Sequence, residues 1–211
     1  MQTLTTLFNQ QIENLIEKDY PTLAGMSNED FRKMLKPLQK LLTKELPEID
    51  YECGKLPFAI VINETLVPLK KQMEHIVWRD ANGIEKLFPK TPEDFSAIDS
   101  VAIPESESYL ILNIDRGKDS LNITPENALK AIQDNKRSPL TIAEGIAVVT
   151  QYPDFLIKNN CFSLAGSRCG DQRVPAIWIS EKRPKLGWCW DRNPHTWLGT
   201  ASCEKRDIVE A

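Results

Sequence analysis

"CFSLAGSRCGDQRVPAIWISEKRPKLGWCWD", residues 161–191, decides the fold. Three short apolar runs, "CFSLAG", "VPAIWIS" and "LGWCWD", are separated by the polar breaks "SRCGDQR" and "EKRPK". That texture is of strands joined by turns. Successive side chains on a strand take opposite faces, so Trp188 and Trp190 are expected on one face and Cys189 on the other. Gly166 and Gly170 bracket Cys169, where a turn between strands needs positive φ.

Upstream of this stretch the periodicity changes. Leu4, Leu7, Phe8, Ile12, Leu15 and Ile16 fall at helical spacing. Ser27 and Asp30 resemble a capping box opening a second helix, which Pro37 is expected to kink. Residues 1–46 therefore read as a helical hairpin. Residues 47–211 read as an α+β domain forming one compact unit with those helices. "FAIVI" (58–62) and "YLILNI" (109–114) read as buried strands, and "LVPLKKQMEHIVW" (66–78) as a helix or strand–helix junction. Thr91 with Pro92, and Thr124 with Pro125, each pair a cap with a proline at the first helical position. Thr141 and Glu144 form a further capping box ahead of Ile142, Ile146 and Val149. The fold class is α+β: a helical N-terminal hairpin, a mixed α/β middle and a sheet-rich C-terminal third.

Composition narrows the function classes. The 211 residues are 41% hydrophobic and 27% charged, with a net charge of −4. Such a chain builds its core without disulfides or metal, and its acidity argues against a general nucleic-acid or membrane binder. The N-terminus lacks a signal-peptide pattern and no apolar run is long enough to span a bilayer, so a cytoplasmic protein with five reduced cysteines is expected. Residues 160–203 nevertheless hold six Lys/Arg against three Asp/Glu, a basic end on an acidic body.

The chemistry-bearing residues concentrate in that basic end. "GWCWDRNPHTWLG" (187–199) holds three of the five tryptophans, a cysteine and one of two histidines. Metal is one reading: Cys161, Cys169, Cys189, His195 and Cys203 are ligand types that zinc accepts. Their spacing lacks the close Cys-x-x-Cys knuckle that makes such a signal strong, and no metal site is assigned. A thiol nucleophile is a second reading. Arg168 and Arg173 flank Cys169 and are expected to lower its pKa, with His195 as base and Asp171 or Asp191 orienting the ring. The bland alternative is packing, since cysteine is commonly buried.

An anion site is the third and preferred reading. Ser167, Arg168 and Arg173 lie in one string, and Arg192, Asn193 and His195 in the other. Guanidinium forks suit carboxylates and phosphates. Trp178, Trp188 and Trp190 are expected to wall one pocket with them. The partner is then a small anionic molecule, with nucleic acid disfavoured by the acidic body. No cofactor, reaction or oligomeric state is assigned. The competing class is a non-catalytic structural or partner-binding module, zinc-stabilised or simply packed. "NIDRGKDS" (113–120) suits either a cation site or a polar turn.

"GSRCGDQRVPAIWIS" (166–180) and "GWCWDRNPHTWLGTASC" (187–203) together resemble the end of a bacterial protein family of unknown function. The likeness extends to "LNITPENALKAI" and "RSPLTIAEGIAVV", covering most of residues 55–203. It implies a compact intracellular bacterial protein and supplies no activity.

Overall fold

The computed structural model describes residues 3–43 and 45–209. Two five-stranded sheets and a buried helix organise it, and the apolar run "FAIVI" sets their stacking. Strand Lys55–Ile62 pairs antiparallel with Ser108–Asp115, from Lys55 opposite Asp115 to Ile62 opposite Ser108. Phe58, Ile60 and Ile62 face the N-terminal helices, while Ala59 and Val61 face the main core. A strand covered on both faces reads as continuous hydrophobicity rather than alternation.

Helix Leu4–Glu17 begins at Thr3, whose hydroxyl accepts the Thr6 N–H at 3.1 Å. It buries Phe8, Ile12 and Leu15. The second helix of the hairpin, Asn28–Leu35, is capped by Ser27 and buries Phe31 and Leu35. It gives way to a 3₁₀ turn, Lys36–Leu41, beginning immediately before Pro37. A proline that cannot donate its backbone hydrogen bond accounts for that ending. The 66–78 segment becomes helix Leu69–Glu74 followed by strand Val77–Trp78.

Helix Ile142–Gln151 is the centre of the molecule, buried from Ile142 to Thr150 on every side. Its predicted capping box forms, with the Glu144 carboxylate accepting the Thr141 N–H at 2.8 Å. The helix packs on Lys55–Ile62 and reaches the second sheet. Gly145 permits the close approach: a Cβ there would lie 2.4 Å from Leu164 Cδ2. The last strand, Lys205–Asp207, pairs with Ser108–Asp115 and brings Arg206 onto Glu144. One guanidinium nitrogen lies 2.7 Å from the carboxylate, and Ser138 and Pro139 take further donors.

The second sheet runs Leu198–Thr200, Cys161–Ser163, Arg173–Ser180, Arg183–Trp190, Ile84–Glu85. The third and fourth strands form a hairpin with a two-residue turn, Glu181–Lys182, both at positive φ (53° and 60°). Two such residues match the twist of the flanking strands. "NIDRGKDS" spans the end of strand Ser108–Asp115 and the 3₁₀ turn Lys118–Ser120. Asp115 pairs with Lys55, and the wholly buried Arg116 donates to the carbonyls of Phe155 and Tyr51. No helix among the described residues is long and apolar enough to cross a membrane.

Candidate functional site

The register of the hairpin sorts the tryptophans. Arg173 lies opposite Trp190 and Pro175 opposite Trp188, whereas Val174 faces Cys189 and Trp178 faces Lys185. Directly opposed residues share a face. Trp188 and Trp190 therefore stand together, ring centroids 4.8 Å apart, as strand alternation predicts. The Arg173 guanidinium lies 4.7 Å from the Trp188 ring centroid and 5.2 Å from that of Trp190. Cys189 points the other way, and burial pushes its thiol up to about 12.

Trp178 belongs to the Cys189 face, so it does not share a wall with Trp188 and Trp190. Its indole covers Gly187, where a Cβ would sit 2.2 Å from the ring. It meets Trp197 edge-on at 6.1 Å, and Trp197 in turn meets the His195 ring at 5.2 Å. Desolvation holds the His195 pKa below its ordinary value, and buried Nε2 has no hydrogen-bond partner among the described residues.

The two distant strings do meet. Arg168 donates to Asp191 at 3.1 Å, and the Asp191 N–H donates to the Gln172 carbonyl at 2.8 Å. Arg173 is ion-paired with Asp171, whose carboxylate also takes the Arg173 backbone N–H at 2.8 Å. Arg192 stands 3.4 Å from Glu126. Asn193 is exposed, and its backbone N–H donates to the Trp190 carbonyl. All three arginines assigned to anion binding thus carry a carboxylate of this chain.

Cys169 corrects another expectation. Its thiol donates to Asp171 Oδ1 at 3.2 Å. Burial and that carboxylate raise its pKa, outweighing the favourable charge of Lys90. A thiol so placed keeps its proton, the reverse of nucleophile activation. Asp171 thus serves Cys169 and Arg173, while the ring partner of His195 is Trp197. Among the described residues, no group of three or more His, Cys, Asp or Glu is placed to hold a metal ion.

Residues 14–209 match the model of a family described as "Family of unknown function (DUF5701)". The chain belongs to that family. No curated protein and no solved structure matches it. The DUF5701 match takes in both strings of the basic end, the buried helix and the last strand.

One surface of this DUF5701 chain was not legible from the sequence. Phe88, in "KLFPK" (86–90), is 86% exposed, and its carbonyl accepts the Trp188 indole N–H at 3.1 Å. Trp190, beside Trp188, is 45% exposed. Phe88 thus lies beside the Trp188–Trp190 pair through its backbone carbonyl, and the largely covered Arg173 guanidinium backs the two indoles. A phenylalanine between Leu87 and Pro89 was the only signal, and it does not by itself distinguish surface from core.

Proposed function

We propose that this protein is a non-catalytic binding module that recognises an acidic polypeptide segment through the Phe88–Trp188–Trp190–Arg173 surface. The observation that carries the reading is the exposure of two large aromatic side chains, Phe88 and Trp190, linked through Trp188. Contiguous exposed apolar surface marks interaction sites, and Trp and Arg dominate interface energetics. Lys86 and Lys90, each two residues from Phe88 in the chain, supply the charge preference. No reaction is assigned; the Cys169 thiol donates to Asp171, and burial and that carboxylate raise its pKa.

Tryptophan emission during titration with a random glutamate–tyrosine copolymer tests the proposal, with polyglutamate as control. The copolymer is expected to bind better than polyglutamate and to weaken with added salt. The Phe88→Ser/Trp190→Ser variant is expected to lose about tenfold in affinity or more. Equal binding by that variant, or no preference for the copolymer, overturns the reading. A second reading, a small free anion, draws on Arg173 lying against two indoles. Saturable binding of free glutamate, lost in Arg173→Ala, would favour it instead.

A further inference from the structure

A cavity of about 170 Å³ lies at the start of helix Ile142–Gln151. Leu69, Phe95, Ile103 and Ile142 give it apolar walls, and Thr141 and Ser167 border it where the helix begins. Ser167 Oγ accepts the Ile142 N–H at 3.1 Å, and Thr141 Oγ1 accepts the Glu144 N–H at 3.5 Å. A hydroxyl also has a proton to donate, and neither of these protons has an acceptor among the described residues. Ser167 is only 4% exposed, so its O–H has little access to solvent. The cavity therefore presents two hydroxyl donors beside the positive end of a ten-residue helix.

Glu64 borders the same cavity. Partial desolvation on the cavity side and the nearby charge of Glu93 raise its carboxyl above the ordinary value, although the residue also reaches solvent. An anion entering here meets Glu64, and a cation meets the helix start. A neutral molecule that accepts hydrogen bonds avoids both penalties. Size sets the other limit: an engineered apolar cavity of about 150 Å³ takes up benzene. We infer that this cavity binds a neutral molecule of about one ring or one branched chain, its hydrogen-bond acceptor turned toward Thr141 and Ser167.

Acetophenone is a suitable probe, titrated into the isotope-labelled full chain and followed by amide shifts. Saturable shifts are expected at residues 141–143 and 167, with benzoate and benzylamine binding at least about tenfold more weakly because each carries a full charge. Ser167→Ala should weaken acetophenone about three- to tenfold, the worth of one hydrogen bond, and leave ethylbenzene unchanged. Ala143→Leu, which fills the cavity, should abolish both. If that variant does not fold, the comparison of wild type with Ser167→Ala decides. Absence of saturable acetophenone shifts, shifts centred elsewhere, or equal weakening of ethylbenzene overturns the inference. The Phe88→Ser/Trp190→Ser variant should bind acetophenone normally, separating this site from the aromatic surface.

Discussion

Arg168 and Asp191, 23 residues apart in the chain, are joined by a 3.1 Å charge-assisted hydrogen bond that closes one end of the hairpin sheet. Both side chains are about four-fifths shielded from solvent. Arg168→Ala is expected to destabilise the fold by about 1–3 kcal/mol, since it strands a shielded carboxylate. Arg192→Ala, at a 73% exposed side chain, should cost less than about 0.5 kcal/mol. Urea denaturation of both variants checks the contrast, and equal losses would place the two arginines in the same role.

The Arg206–Glu144 pair makes a larger demand. Glu144 is wholly buried and also caps its own helix. Breaking the pair with Arg206→Met should cost about 3–5 kcal/mol, because an uncompensated charge remains inside. The double variant Arg206→Met/Glu144→Gln should recover part of that loss, measured as a coupling in a double-mutant cycle.

Alkaline pH tests the buried thiols. Burial pushes both Cys189 and Cys203 up to about 12, from an unfolded value near 9. Between those values the folded state keeps a proton that the unfolded state has released. Stability therefore falls as pH rises through that window, by up to about 1.4 kcal/mol per pH unit for each thiol. Cys203→Ala should remove one share of that slope, read from denaturation midpoints at successive pH values.

Alkylation kinetics test the Cys169 assignment. With the exposed Cys53 removed as Cys53→Ser, Cys169 should react slowly near neutral pH, followed by peptide-resolved mass spectrometry. Asp171→Asn withdraws the charge that helps keep the thiol protonated and should speed the reaction about three- to tenfold. An unchanged rate would mean that Asp171 does not govern this thiol.

Gly187→Ala probes the other face of the hairpin. Its Cβ would collide with the Trp178 ring, so the indole must move. A loss of about 1–3 kcal/mol is expected, together with a change in the Trp178 emission.

Local chemistry was legible in the sequence wherever one element settled it. The Thr141–Glu144 box and the shared face of Trp188 and Trp190 follow from spacing within one helix and one strand. The face taken by Trp178 depends on the neighbouring strand. "EKRPK" reads as a five-residue break, but the turn is only Glu181–Lys182, and the strand already runs from Arg183. Turn length sets register, and register sets which side chains share a face. The carboxylate partners of Arg168 and Arg192 were equally hidden, since Asp191 and Glu126 approach them only through tertiary packing.

The partner of Glu144 also bears on synthesis. The helix beginning at Ile142 leaves the ribosome long before residue 206, so its charge stays uncompensated while the rest of the chain is still being made. Completion of the interior therefore waits for the final strand to clear the exit tunnel, and a stalled nascent chain lacking Arg206 should remain sensitive to protease.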